Sequence, residues 1–400
     1  MSKLQELIQE LCPEGVDYKK LGELLDYEQP TKYIVKSTEY DTSYDIPVLT
    51  AGQTFILGYT NEKFGVYKAS QENPTIIFDD FTTSFHWVDF EFKIKSSAMK
   101  MLRPKDTFDG SFKYVYYAMK CIKYEAVDHT RHWISKYSQF EIPVPPLEVQ
   151  EEIVCILDHF TNLAAELQAE LQARKEQYEY YRNKLLMFDK IGGGGGTQSV
   201  TWMKMSEIGT FIRGKRFVRT DIVSDGVPCI HYGDMYTYYG LYATQSKGRL
   251  RSELASKMRY AQKNDVVIVA AGENKEDIGV GLAWLGDEPA AVHDACFIFR
   301  SDLYPQYVSH YLRSNYYHKQ IVKYVSEGKI CSISAKGLGN AIIPIPAHEE
   351  QVRIATLLNN FDALVGDLTK GIPAEMVAVQ EQYEYYRNKL LSFPRIQISV

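Results

Sequence analysis

Three stretches of this 400-residue sequence have residue types that could do covalent or phosphate chemistry. Asp80 followed by Glu91-Phe92-Lys93 has the loose spacing of a metal-dependent nuclease, with carboxylates to hold a divalent cation. The alternation of FEFKIK (residues 90–95) is equally that of an ordinary half-exposed strand. GTFIRGKR (209–216) meets the first seven positions of a phosphate loop, ending in Gly214 and Lys215. Arg216 then stands where magnesium needs a hydroxyl, and Phe211 and Ile212 are bulky for a phosphate cradle. NPTI at Asn73 lacks the second proline and the aromatic residue of an amino-methyltransferase motif. His86, His129, His132, His231 and His293 lack metal-ligand spacing, and no glycine-rich cofactor loop is visible. The expectation is a chain with no catalytic residues, no metal and no cofactor of its own.

The remaining chemistry is polar, basic and aromatic clustering in loops. GKRFVRTD brings Lys215, Arg216 and Arg219 together. HYGDMYTYYG follows with His231, Tyr232 and Tyr238, and KGRLRSE adds Lys247, Arg249 and Arg251. Earlier in the chain the candidates are Gln53, Asn61, Lys63, Thr82, Thr83, His86, Arg131 and His132. Arginine and lysine grip phosphates or a guanine edge, and asparagine or glutamine reads adenine. Any one of these residues could equally be a solvated surface group. As a set they fit DNA recognition better than catalysis.

The elements that must position them are those of a globular, two-domain chain, 45% apolar and 24% charged. No run of eighteen apolar residues occurs, so no transmembrane helix is expected. MSKLQELIQELCPEGV has no apolar core of a secretory signal. Leu4, Leu7, Ile8 and Leu11 instead have helical spacing, with Pro13 as the stop. The 6 cysteines form no CxxC pair and read as reduced thiols of a cytoplasmic protein. The net charge of −6 is uneven: −4 over residues 1–141, −4 over 142–191, +4 over 192–341 and −2 over 342–400. Strong non-specific phosphate binding by the isolated chain is not expected.

The chain repeats itself. EQYEYYRNKLL occurs at 176–186 and again at 381–391, and IPVPPLEVQEEIVCILDHF (142–160) matches IPIPAHEEQVRIATLLNNF (343–361). VDYKKLGEL from Val16 pairs more weakly with VTWMKMSEI from Val200. In the first repeated block, Ile153, Leu157, Phe160, Ala164, Leu167, Leu171, Arg174, Tyr178, Tyr181, Leu185 and Phe188 alternate by four and three, as in a coiled-coil seam. About forty such residues span roughly 60 Å. The second block repeats the seam from Ile354 through Leu368 and Ile372, then steps four residues to Met376 where three are due. Beside Gly371 and Pro373, that stutter predicts a kink or break, with Pro373 in the first turn of the resumed helix. Glu179/Glu384, Arg182/Arg387, Asn183/Asn388 and Lys184/Lys389 match although they lie off the seam. They read either as a solvated charged face or as one partner-binding surface present twice.

The two variable blocks share a mixed α/β pattern. Strand-like runs at 46–51, 75–78 and 90–95 correspond to 227–233, 265–272 and 295–300, and helical runs at 112–120 and 305–313 stand at matching places. The expected divisions are a recognition domain over 1–141, a helix over 142–191, a Gly-rich linker over 192–198, a second domain over 199–341 and a second helix over 342–400.

The paired IPVPPLEVQEEI and IPIPAHEEQVRI segments, the twin EQYEYYRNKLL segments and the two variable blocks together resemble the specificity subunits of type I restriction–modification enzymes. The resemblance implies an α/β (α+β) fold with an internal pseudo-two-fold repeat. Two target-recognition domains would be separated by two long helices in an antiparallel coiled coil. It implies a non-catalytic subunit whose domains each read one half of a bipartite, asymmetric site in double-stranded DNA. The helices would fix the unread gap and dock two modification (methyltransferase) subunits, with restriction (ATP-dependent translocase/nuclease) subunits joining the full complex. S-adenosylmethionine, ATP and magnesium would belong to those partners. The rival readings are a nuclease built on Asp80, Glu91 and Lys93, and a coiled-coil adaptor.

Overall fold

The computed structural model describes residues 3–52, 54–125, 130–188, 200–366 and 370–396. Gln53, His129, Leu368 and the Gly-rich stretch 192–198 lie outside them. The chain forms two compact units, Met1–Glu166 with Met376–Val400, and Leu167–Glu375. The helix Leu147–Met187 gives its first part to one unit and the remainder to the other.

In the first unit, Asp17–Lys20 pairs antiparallel with Glu141–Val144. A four-stranded sheet follows in the order Leu25–Glu28, Met99–Pro104, Thr75–Asp79, Phe85–Val88. A second sheet runs Ile56–Thr60, Ile46–Leu49, Lys93–Ile94, its last pair parallel. The helix Phe112–Met119 starts where the Ser111 hydroxyl accepts the Tyr114 N–H. Its buried face joins a core holding Ile76, Phe78, Trp133, Ile153, Leu157 and Phe393.

The second unit repeats this strand order and adds edge strands at Ile222–Val223, Tyr242–Ala243 and Tyr260–Ala261. Thr201–Lys204 pairs with Ile342–Ile345. One sheet runs Gly209–Arg213, Cys296–Ser301, Val266–Val269, Gly281–Trp284, Tyr242–Ala243. The other runs Ile222–Val223, Gly248–Leu250, Val227–Ile230, Ala290–Val292, Tyr260–Ala261, with Val227–Ile230 and Ala290–Val292 parallel as their counterparts Ile46–Leu49 and Lys93–Ile94 are.

The repeated IPVPPLEVQ and IPIPAHEEQ segments now have a physical reason. In each, the Ile-Pro strand closes the two-stranded ribbon and a buried glutamine clamps the turn that follows. Gln150 donates to the Pro145 carbonyl (2.7 Å) and accepts the Ser111 N–H (2.9 Å). Gln351 does the same with Pro346 and Tyr304, both at 2.9 Å. Tyr114 and Tyr307 donate to the equivalent carbonyls of Pro143 and Pro344. Each bond satisfies a buried backbone group that no ladder reaches.

FEFKIK forms only the two-residue strand Lys93–Ile94, because Phe92, Lys93 and Ile94 are all buried and the alternation fails. The Lys93 ammonium is held by Glu62 at 3.1 Å and by the Phe64 carbonyl at 2.7 Å. The break in the second helical block is present: one helix ends at Gly366 and the next starts at Ile372, with Pro373 in its first turn.

The twin EQYEYYRNKLL segments dock on the globular part of their own unit. In the second unit, Tyr178 is buried, meets the Phe361 ring at 6.3 Å, and its hydroxyl lies 3.3 Å from His310 Nδ1. Arg182 lies over the Tyr178 ring, and the Asn183 amide oxygen accepts the Asn315 N–H at 2.9 Å. In the first unit, Arg387 lies over Tyr383 in the same way, Tyr383 faces Tyr117, and Tyr386 stacks on Phe160. The match of Arg182/Arg387 and Asn183/Asn388 therefore serves docking onto homologous helices of the same chain. Glu179, Lys184, Glu384 and Lys389 remain exposed.

This docking predicts a pH dependence. Burial, together with Arg182 and Arg313, pushes the His310 imidazole down to about 4, against an ordinary 6.5. The unfolded chain takes up this proton below pH 6.5 and the folded one does not until about 4, so stability falls as pH drops through that window. Between pH 7 and 5 the loss from this group is about 2 kcal/mol. Urea denaturation of the native chain and His310→Gln at both pH values should show the variant missing that part of the fall.

Candidate nucleic-acid interface

In the second unit, a basic loop leaves the strand Gly209–Arg213 at Gly214. A Cβ there would stand 2.2 Å from the His293 carbonyl oxygen, so only glycine fits. The Gly214 N–H donates to Cys296 O (3.0 Å) and the Lys215 N–H to Val292 O (2.9 Å). This backbone is therefore fixed to protein, not open to a nucleotide, and the helix that a phosphate loop requires does not follow. Phe217 anchors the loop, buried 5.2 Å from the His293 ring and 5.9 Å from His231. Lys215, Arg216 and Arg219 on either side of it are exposed.

Asp234, which the sequence did not single out, organises the rest. Its carboxylate is buried and holds Lys247 at 3.0 Å and Arg219 at 3.5 Å. Lys247 also covers the exposed Tyr238 ring at 5.1 Å. Lys215 and Arg216 have no ion-pair partner among the described residues. Arg249 and Arg251 differ: each has its own acid, Glu288 at 3.1 Å and Asp221 at 3.4 Å. The six cations that read as one cluster thus divide into four that leave net positive charge and two that are neutralised. His231 is buried against His293, and burial lowers both imidazoles so that they are neutral at pH 7. Tyr232 stacks at their edge with its ring partly open to solvent.

In the first unit the candidates scatter. Thr82 and Thr83 sit in the turn between Thr75–Asp79 and Phe85–Val88, where Asp79 accepts the Phe81 and Thr82 N–H groups at 2.9 Å. Thr83 is largely buried and takes a left-handed backbone, φ 59°. His86 lies with Nε2 3.1 Å from Ala51 O and 3.2 Å from Gly52 O, so that nitrogen carries its proton. Asn61, Lys63 and Arg131 are exposed on other loops.

His132 is a correction: it is fully buried and its Nδ1 meets the Tyr124 hydroxyl at 3.0 Å, so it packs the core and cannot reach a duplex. Thr83 and His86 line a cleft of about 430 Å³ together with Lys120 and Arg387. Lys120 closes the helical run 112–120, whose periodicity carries no signal of a site.

The nuclease triad does not assemble. Asp80 is buried, pairs with Lys100 at 3.1 Å and accepts the Trp133 N–H at 2.7 Å. Glu91 bonds Lys68 at the surface and Lys93 is held by Glu62. Among the described residues, no cluster of three or more His, Cys, Asp or Glu side chains could hold a metal ion.

Comparison with known proteins agrees with this geometry. A family model for the type I restriction modification DNA specificity domain matches residues 13–176 and 199–377. The Escherichia coli type I restriction enzyme EcoR124I/EcoR124II specificity subunit is 40% identical, over 99% of this chain and 98% of its own. The fold resembles the S subunit of a type I restriction–modification system from M. genitalium, with TM-score 0.55 and 15% identity over 94% of this chain and 96% of that one. It also resembles a chain solved in work on complex assembly and conformational transition of the type I system, with TM-score 0.60 and 18% identity over 95% and 98%. The chain belongs to the family of type I restriction–modification DNA specificity subunits, and its part is recognition of DNA rather than catalysis.

Proposed function

We propose that each unit reads one half of a bipartite, asymmetric site in double-stranded DNA. The observation that supports this most is the repeated strand order carrying unlike loops: the same scaffold holds different side chains towards solvent. In the second unit the reading surface is Lys215, Arg216, Arg219, Tyr232, Tyr238 and Lys247, with His231 behind it and Arg249 and Arg251 at its margin. In the first it is Asn61, Lys63, Thr82, Thr83, His86 and Arg131, with Gln53 between Gly52 and Thr54. The recognition domains are those of residues 1–141 and 199–341. The helices over 142–191 and 342–400 act as the ruler for the unread gap, because two readers joined by a rigid element demand a fixed number of base pairs between them. Two methyltransferase subunits dock on the exposed outer faces of the repeated segments, at Glu179 and Lys184 and at Glu384 and Lys389, with Asn183 and Asn388 beside them. Arg182 and Arg387 shape these faces from within. Restriction subunits complete the assembly, which works in the cytoplasm.

The test is an exchange. Residues 209–301 are replaced by the matching segment of the Escherichia coli relative, and the chain is co-expressed with its methyltransferase subunit. One half of the methylated sequence should change while the other half and the spacing stay. A change in both halves would overturn the assignment of one half-site to each unit.

A further inference from the structure

The repeated units differ in where a carboxylate stands relative to two corresponding cations. Tyr114 and Tyr307 make the same hydrogen bond, so Lys120 in the first unit corresponds to Arg313 in the second, and the twin segments equate Arg387 with Arg182. In the second unit an acid, Asp362, stands near the two arginines beside the Tyr178 hydroxyl: burial pushes its carboxyl up, and the charges of Arg313 and Arg182 oppose that shift. The matching position in the first unit is Thr161. The neighbouring Asp158 is already taken, accepting the Tyr117 hydroxyl and pairing with Lys113 at 3.3 Å. Lys120 and Arg387 therefore stand close with no carboxylate bonded to either among the described residues. Burial and the nearby guanidinium both push the Lys120 ammonium below its usual range. The Lys120 ammonium sits 4.8 Å from the Tyr116 ring centre and 5.3 Å from that of Phe85, and the Arg387 guanidinium lies over the Tyr383 ring and donates to the adjacent Asn388 amide oxygen at 3.2–3.3 Å. Both cations line the cleft of about 430 Å³ that also holds Thr83 and His86.

The geometry points to this cleft as a clamp for one DNA backbone phosphate, gripped by Lys120 and Arg387 beside the turn that carries Thr83. A phosphodiester would bring to these two cations the negative charge that no carboxylate of the first unit brings them among the described residues. Arginine offers it a planar fork and lysine a point charge. The clamp rests on the DNA-reading role proposed above. It makes the first unit's grip on the backbone depend on a residue 267 positions away in sequence, in the C-terminal repeat.

The experiment uses the full chain assembled with its methyltransferase subunits, binding target and non-target duplexes across a salt series. Lys120→Gln and Arg387→Gln should each weaken binding about five- to tenfold at every sequence and flatten the slope of log K against log salt by about 0.9. The methylated sequence should not change. Thr161→Asp installs the second unit's acid without removing either cation, and it should give the same flattening. A merely structural Arg387 would leave the slope of Thr161→Asp unaltered, as measured beside its thermal midpoint. An unchanged slope in all three variants, with target still preferred, would overturn the clamp alone. Absence of target preference in the unaltered complex would overturn the reading role and the clamp with it.

Discussion

Asp80→Asn should destabilise the first unit by about 3–5 kcal/mol and should remove no nuclease activity. The Asp80 carboxylate and the Lys100 ammonium are both within about 2% of complete burial. Their 3.1 Å approach lies off the line of a good hydrogen bond, since Asp80 Oδ2 makes none. The attraction is therefore mostly charge on charge, helped by the Tyr27 ring 4.6 Å from the ammonium. Asparagine keeps the shape and the acceptor for the Trp133 N–H but leaves Lys100 charged, buried and without its counter-ion. Truncating one partner of such a pair costs far more than the pair contributes net. Urea unfolding should show the loss, and adding Lys100→Met to Asp80→Asn should recover much of it. A catalytic Asp80 would behave in the opposite way, with stability kept and DNA cleavage lost.

The largest functional effect is expected from the basic loop of the second unit. Lys215→Gln, Arg216→Gln and Arg219→Gln together remove three cations while leaving Asp234 paired with Lys247 and Phe217 in its pocket. At about 0.9 counter-ions released per phosphate contact, the salt slope should flatten by about 2.7. Scaled from 1 M salt to physiological ionic strength, that is roughly a hundredfold weaker binding. Arg249→Gln with Arg251→Gln should change the slope little, because Glu288 and Asp221 already neutralise those side chains. Uniform weakening across sequences would assign the loop to the backbone. A relaxed preference confined to one half-site would assign it to base reading. Filter binding of the assembled complex at four salt concentrations separates these results.

Much of the architecture was legible because it rests on local periodicity. The seam of the first long helix, the break beside Gly371 and two of the three paired strand runs follow from spacing and from glycine and proline; the third does not, because Lys93–Ile94 pairs in parallel as Ala290–Val292 does, and the counterpart of Cys296–Ser301 is Met99–Pro104. Charge compensation was not legible, because strand register and loop packing bring its partners together from afar. Lys93 meets Glu62, Arg249 meets Glu288, and Arg395 meets Glu141 from the other end of the chain. No motif could sort the cations of KGRLRSE from those of GKRFVRTD, since the sorting depends on which strand faces which acid. His132 misled for a related reason: a histidine next to an exposed arginine reads as surface, yet Tyr124 and the Asp80 turn draw it inside. The identity of the EQYEYYRNKLL segments pointed to a repeated contact. The contact includes the chain's own helices, because homologous domains present homologous surfaces to them.

Two readers in one chain should specify a two-part site. The most direct test is to co-express the chain with and without its methyltransferase subunit and map methylated bases genome-wide by single-molecule sequencing. A motif of two short specified segments, separated by a constant unspecified gap and seen only when both proteins are present, is the predicted result. One contiguous motif, or methylation that is the same without this chain, would contradict it.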